Sequence, residues 1–352
     1  MGKPSVLIVG GGVFGTSTAY HLSQRGYTSV TVLDRFDAPS KDSAATDLNK
    51  VVRADYPNPL YTKLGLEAMA VWKDPNSIFG GMYRETGWVM AAHSMTRGWL
   101  ESARETAERA GRRGVKYMTA EDMRERWPVL TGEFPDWTNL WSPAAGWVPS
   151  GQALLRMANA AKANGVKYIF GAEGHVKKLL YDHRGTCVGV ASENGTVHQA
   201  DIIVLASGAN TATLVEAKEE VVAQTSIIGV IKLEPHEIEK YKDIPIIDDF
   251  EQAPDLNFRI CPYPKAKNLF VATIGSNHGF KFLPVIGKYV ADMLEGKLGQ
   301  EWLDLWKWKF GMVPEGFQDP HPYPTRDLSD LSGWKNRNAP ANGKLPWTWS
   351  RL

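Results

Sequence analysis

The chain opens on a short continuous apolar run, Ser5-Val6-Leu7-Ile8-Val9. Unbroken runs of that length are the mark of strands buried on both faces of a parallel sheet. From Thr16 to Gln24 the spacing becomes helical, with Ala19 and Leu22 among polar partners, and Ser29 to Leu33 returns to a strand. Much later, Asp201 to Ala209 reads as another buried strand that ends in the small-residue turn Ala206-Ser207-Gly208-Ala209. Before it, Gly174 to Tyr181 and Thr186 to Ser192 predict a hairpin around Asp182-His183-Arg184-Gly185. Arg97 to Arg113 predicts a solvated amphipathic helix, with Trp99, Leu100 and alanines inward and Glu101, Arg104, Glu105, Glu108 and Arg109 outward. Trp302, Trp306 and Trp308 read as packing residues of a C-terminal helix.

Between the first strand and the first helix stands Gly10-Gly11-Gly12-Val13-Phe14-Gly15, in which Gly10, Gly12 and Gly15 fit G-x-G-x-x-G. In this motif the first glycine permits the tight turn, the second lets backbone approach a pyrophosphate, and the third lets helix and strand pack closely. The helix N-terminus then offers N–H groups to phosphates. The second strand ends in Asp34, where an acidic side chain can accept a ribose hydroxyl. Strand, glycine turn, helix, strand and terminal acid together predict a dinucleotide site. The motif does not separate FAD from NAD(P), but the late return at Asp201 to Ala209 favours FAD.

The 352 residues suggest two domains. With 43% hydrophobic and 22% charged residues, disorder, collagen and coiled coil are excluded. Forty basic residues nearly balance 39 acidic ones without any basic stripe. Neither nucleic acid nor an anionic membrane is expected as a partner. No apolar run approaches a membrane span, and the start lacks a secretory signal. Cys187 and Cys261 are too few and too far apart for a disulfide framework or a zinc ribbon, which points to a reducing compartment. The C-terminal Ser350-Arg351-Leu352 differs from the peroxisomal address Ser-Lys-Leu by one basic-for-basic exchange. A peroxisomal import receptor is the partner this implies, with the cytoplasm as the alternative location. No G-x-S-x-G, H-E-x-x-H or Walker motif is present.

Four segments resemble one family: Val9 to Leu22, Asp42 to Arg53, Ala206 to Ala209, and Gly275-Ser276-Asn277-His278-Gly279-Phe280-Lys281. They are similar to the monomeric sarcosine oxidases and fructosyl amino acid oxidases (amadoriases), a group that includes fungal L-pipecolate and saccharopine oxidases. The resemblance implies an α/β fold: a Rossmann-like FAD-binding domain of the D-amino-acid-oxidase type and an α+β substrate domain. It also implies oxidation of a C–N bond in a secondary-amine amino acid to an imine, with O2 reduced to hydrogen peroxide. On this resemblance Lys50 matches a basic residue beside the flavin ring, while Arg53 and Lys281 match the pair that holds the substrate carboxylate. Ser43, Asn49, Val176, Ser207, Gly208, His278, Gly279 and Phe280 join Gly10, Gly12, Val13, Phe14, Gly15 and Asp34 as the cofactor-binding set. His278 reads as structural or flavin-contacting, because the sequence supplies it no proton-transfer partner. No metal is expected.

The chain also departs from the family. Phe250-Glu251-Gln252-Ala253 joins directly to Pro254-Asp255-Leu256-Asn257-Phe258, where the family has a long stretch of substrate-domain sheet. The substrate domain is therefore expected to be shortened, with exposed edges. Lys232 is not assigned the oxygen-activating role of a family lysine in that stretch. Neither cysteine falls where the family's covalent flavin link would be, so FAD is expected to bind noncovalently. The expected layout is an FAD-binding domain from 1–80, 145–215 and 254–310, a substrate domain from 81–144 and 216–253, and an irregular tail, 311–352. The rivals are an NAD(P)-dependent dehydrogenase and a catalytically impaired FAD-binding relative.

Overall fold

The computed structural model describes residues 2–92, 96–132, 137–217, 230–249, 257–275 and 278–309. These lie within one compact unit, Met1–Glu315. The tail 311–352 with its tripeptide, Ser276, Asn277 and the junction at 250–256 fall outside the described residues.

The elements run β1 (Val6–Val9), α1 (Val13–Gln24), β2 (Val30–Leu33), β3 (Lys50–Val52), α2 (Pro59–Lys73) and β4 (Trp88–Ala92). There follow α3 (Arg97–Arg109), β5 (Lys116–Met118), α4 (Ala120–Arg126), β6 (Thr138–Ser142), β7 (Gly146–Val148), α5 (Ser150–Ala163) and β8 (Lys167–Ile169). The rest are β9 (Val176–Tyr181), β10 (Cys187–Ser192), β11 (Val197–Gln199), β12 (Ile202–Leu205), α6 (Thr211–Leu214), α7 (Pro235–Tyr241), β13 (Ile246–Asp249), β14 (Arg259–Pro262), β15 (Leu269–Thr273), α8 (Ile286–Leu294) and α9 (Gln300–Trp306).

The main sheet has the order β14-β15-β12-β1-β2-β8. All its pairings are parallel except that of β14, which closes one edge in antiparallel register with β15. Because side chains alternate across a strand, the β1 run splits between two cores. Val6 and Ile8 join Ala19, Leu22, Leu154 and Val290 on the helical side. Leu7 and Val9 join Val176, Cys187 and Val190 of the antiparallel three-stranded sheet β11-β10-β9. The hairpin expected at Gly174 to Ser192 is the β9–β10 pair of that sheet.

On the helical side α1 and α8 meet backbone to backbone at Gly287. A Cβ on Gly287 would stand 2.1 Å from the Ser17 carbonyl oxygen. The Ser17 hydroxyl of α1 holds the start of α8 and the turn before it, donating to the Leu283 carbonyl at 2.7 Å and accepting from the Gly287 N–H at 2.9 Å. Of the expected C-terminal tryptophans, Trp302 and Trp306 pack in α9, 4.6 Å apart and buried, whereas Trp308 lies past the end of that helix and is buried in the other core against Tyr263.

A second, four-stranded sheet has the order β13-β4-β6-β5. It is antiparallel except that β13 runs parallel to β4 at one edge. Helix α3 covers one face with Leu100 against Trp88 and Met90, while Met123 of α4 packs on the other against Trp141. The helix expected to reach Arg113 stops at Arg109. Gly111 turns the chain with a φ of 72°, and Arg112 returns inward to a buried ion pair with Asp55.

Candidate active site

In open parallel sheets ligands bind beyond the carboxyl ends of the strands, where the strand order reverses. Here that point lies between β1, which leads outward to β2, and β12, which leads to β15. Gly10, Asp34, Ala206-Ser207 and Ile274-Gly275 follow directly on these four strands. Gly10 has a φ of 107°, and a Cβ there would stand 2.5 Å from the Ala206 carbonyl oxygen. A Cβ on Gly15 would stand 1.8 Å from the Gly10 oxygen, which is how closely α1 leaves the strand.

These residues fit a dinucleotide. Helix α1 is capped by Gly12 with no side-chain hydrogen bond and has no acidic residue in its first turn, so its N–H groups and dipole face an anion without competition. Asp34 accepts from the Gly11 N–H at 2.7 Å, the Phe36 N–H at 3.0 Å and the Ser40 hydroxyl at 2.8 Å. A carboxylate offers about four lone-pair sites, so one is left for a ribose hydroxyl. Ser43 sits beside the turn, its Oγ 3.1 Å from where a Gly12 Cβ would be. Val176 opens β9, and Gly174 just before it lies against the Asp34 carbonyl. Ser207 is bound to Thr211, and the Gly208 carbonyl accepts from Thr273 at 3.3 Å.

The Gly275–Lys281 segment continues the same surface. Ile274 takes a φ of 65°, a conformation that β-branched residues avoid. Past it, Gly275 and Gly279 approach so closely that a Gly279 Cβ would be 2.9 Å from the Gly275 Cα and 3.3 Å from the Phe14 ring. Phe14 thus ties the helix that would hold phosphate to the loop that carries His278, Phe280 and Lys281.

Lys281 and Arg53 meet at a single ring. The Arg53 guanidinium lies 4.5 Å from the Tyr56 centroid and the Lys281 ammonium 5.6 Å from it. Arg53 is also stacked on Trp88 at 4.5 Å, and it donates to the Asp55 carbonyl. Arg53 is 6% exposed and Lys281 4%. Burial, then the neighbouring Arg53, hold the Lys281 amine well below its ordinary range, with Asp248 and Asp55 acting in the opposite sense. Lys281 donates to the His278 carbonyl at 3.0 Å.

His278 has the partner that its sequence neighbourhood does not reveal. The Tyr56 hydroxyl lies 3.0 Å from its Nδ1, and its ring stacks on Phe258 at 4.9 Å. Burial pushes the Tyr56 hydroxyl above the titration range of a free tyrosine. Lys50 stands apart from this cluster, paired with Asp47 at 2.8 Å and partly exposed, and Asn49 is exposed beside it. Tyr56, Asp55 and Trp88 are the residues a motif-based reading misses: the first two follow Arg53 directly, but Trp88 arrives from the second sheet. Both cysteines are buried on the opposite face of the main sheet from the Phe258–His278 cluster, and burial raises the Cys187 thiol.

The profile of the DAO family, described as FAD dependent oxidoreductases, matches residues 5–253. The chain belongs to this family. As an FAD-dependent oxidoreductase it takes FAD as its cofactor, which decides against the NAD(P) dehydrogenase reading. It is 27% identical to the L-saccharopine oxidase of Schizosaccharomyces pombe, over 87% of this chain and 93% of that protein. That alignment runs to 405 positions, more than the 352 residues of this chain, so the relative has stretches without counterpart here. A shorter match, 26% over 125 residues, covers 35% of this chain and 31% of the peroxisomal sarcosine oxidase of mouse. Among solved structures, a modified fructosyl peptide oxidase from Aspergillus nidulans superposes with a TM-score of 0.80 at 26% identity, covering 95% of this chain and all of that one.

Proposed function

We propose that the chain oxidises a secondary-amine amino acid of the saccharopine, sarcosine, pipecolate or fructosyl amino acid type to its imine. The observation that carries this reading is the buried meeting of Arg53 and Lys281 on the Tyr56 ring. Two cations enclosed by aromatic faces suit a carboxylate, Arg through its planar fork and Lys as a compact charge. Trp88 adds an indole N–H with no hydrogen-bond partner among the described residues. Gly279 keeps the loop beside Phe14 free of a side chain, so that a planar ring can lie close to the backbone.

Bound FAD would accept the two electrons that leave the substrate C–N bond as a hydride equivalent, and O2, reduced to hydrogen peroxide, would take them on. Gly10, Gly12, Val13, Phe14 and Gly15 hold the pyrophosphate and Asp34 the ribose, with Ser43, Asn49, Lys50, Val176, Ser207, Gly208, His278 and Phe280 completing the cofactor shell. Arg53 and Lys281 place the substrate carboxylate, and binding of that anion favours the protonated form of Lys281. The aromatic wall of Tyr56, Trp88 and Phe258 excludes water from the developing imine, which then hydrolyses in solution. FAD is held without a covalent bond, since both thiols are buried in a core on the far face of the sheet. The four-stranded sheet of β13, β4, β6 and β5 is the substrate-side domain.

Anaerobic titration of the purified protein with sarcosine, pipecolate, saccharopine and a fructosyl amino acid tests the reading. Bleaching of the flavin by at least one is expected, with loss of the response in Arg53→Met; a protein that bleaches with none refutes it. Acid denaturation is expected to release the flavin into the supernatant. A peroxisomal location accompanies the reading, from Ser350-Arg351-Leu352 and from the mouse relative. Deleting the tripeptide is expected to send a tagged protein to the cytosol, and unchanged punctate localisation overturns this.

A further inference from the structure

Arg53 reaches the candidate carboxylate site from a segment that carries its own clamp. Two residues on, the Asp55 carboxylate is almost fully buried and pairs with Arg112, which leaves the end of α3. The other carboxylate oxygen accepts from the Ser142 hydroxyl at 3.1 Å, and the same hydroxyl accepts from Arg112 at 2.9 Å. A serine hydroxyl is one donor and an acceptor, so the three side chains close a ring in which each binds the other two. The ring joins the segment after β3, the turn after α3 and the last residue of β6.

Register makes the connection to Arg53 specific. Ser142 is the direct cross-strand partner of Trp88, and facing residues of an antiparallel pair have Cβ atoms about 5 Å apart. Trp88 is the indole on which the Arg53 guanidinium is stacked. One cross-strand pair of the second sheet therefore grips the Arg53 segment twice: Trp88 by the guanidinium, and Ser142 by the carboxylate of Asp55. The Asp55 carbonyl that this fixes is itself an acceptor for the guanidinium.

We infer that Arg112, Asp55 and Ser142 are positioning residues: they lock the Asp55 peptide so that the Arg53 guanidinium is held in one orientation toward a substrate carboxylate. This rests on the carboxylate role proposed for Arg53 above. A guanidinium already fixed loses little side-chain freedom when an anion binds, which is where preorganisation raises affinity. Loosening the clamp costs binding of the anion and leaves the later electron transfer little changed.

Acetate is the probe, titrated calorimetrically into the FAD-bound protein, together with KM and kcat for the amine that bleaches it. Arg112→Lys keeps a charge beside Asp55 but not the fork, and Ser142→Ala removes only the hydroxyl. If Arg112→Lys destabilises the fold, seen as a lowered thermal midpoint, Ser142→Ala carries the test. Each is expected to weaken acetate and raise KM roughly tenfold with kcat changed less than about threefold. In the Arg53→Met background, Ser142→Ala is expected to add nothing, because it acts through Arg53. Undiminished acetate binding in both single variants, beside a loss in Arg53→Met, overturns the clamp while the carboxylate site stands. An equal further loss when Ser142→Ala is added to Arg53→Met also overturns it. Unchanged acetate binding in Arg53→Met overturns both the site and the clamp.

Discussion

Replacing Gly287 by alanine probes the seam on which the nucleotide helix rests. The new methyl would lie 2.1 Å from the Ser17 oxygen, 2.2 Å from its carbon and 2.5 Å from the Thr18 nitrogen, all backbone of α1. No rotamer relieves a clash with backbone, so α1 and α8 must separate by more than about 1 Å to reach ordinary contact distance. Separation stretches the two hydrogen bonds of the Ser17 hydroxyl, 2.7 and 2.9 Å long. At about 1 kcal/mol for each bond and 1–3 kcal/mol for overpacking, the loss is about 3–5 kcal/mol. For a unit of this size 1 kcal/mol moves the midpoint by roughly 1.5 °C, so a fall of roughly 5–8 °C is expected. Calorimetric unfolding of the FAD-bound protein measures it, with Gly98→Ala as the control, since among the described residues no atom outside its own helix and chain neighbours lies within 4 Å of a Cβ there. The control should melt at or slightly above the wild type, because alanine is the better helix former. Gly287→Ala melting within a degree of the wild type would refute the reasoning.

Three further outcomes follow from the site. Asp34→Ala removes the carboxylate lone pair left for the ribose hydroxyl; at about 1.5–3 kcal/mol for a hydrogen bond to a charged group, apoprotein titrated with FAD should bind roughly 10- to 150-fold more weakly, and affinity within twofold of wild type would tell against Asp34. Acetate should bind more weakly as pH rises through the depressed Lys281 value, with proton uptake visible as a dependence on buffer ionisation enthalpy; a flat profile, or one that Lys281→Met leaves unaltered, contradicts this. In the ligand-free protein the same group acts with opposite sense. Its folded pKa lies below the unfolded one, so between the two values the unfolded chain binds the extra proton and stability rises with pH toward 10.5. Denaturant midpoints across that window should therefore climb less steeply in Lys281→Met.

The nucleotide half was legible because its signals are local. Gly10, Gly12 and Gly15 announce themselves between a strand and a helix, and the steric reasons for Gly10 and Gly15 are met by the Ala206 and Gly10 oxygens. The segment Ala206 to Ala209 was readable for the same reason, as a small-residue turn after an apolar run. Arg53 and Lys281 came from resemblance, and their meeting on Tyr56 depends on two segments that nothing in either spacing connects. Tyr56 as the partner of His278 lies 222 residues from it, beyond any periodicity. Arg112 was read as the end of a solvated helix, which helical spacing supports; only the left-handed Gly111 and the buried Asp55 turn it inward. The four-stranded sheet was the least legible, because Phe250 to Leu256 interrupts the family pattern beside it.

The sheet that holds the glycine turn also sets the order of events in biosynthesis. β1 is made well before its partner β12, which lies 196 residues downstream, and β15 follows only at Leu269. At 5–20 residues per second, β1 waits roughly 10–40 s for β12 to be translated. Until α5 and the β9–β10 pair are made, the apolar run Val6–Val9 has β2 and α1 to cover it, so the nascent chain is a candidate client for chaperones at the ribosome exit. The strands that meet where the order of the sheet reverses, β1, β2, β12 and β15, are brought together only once residues as far as Thr273 have emerged.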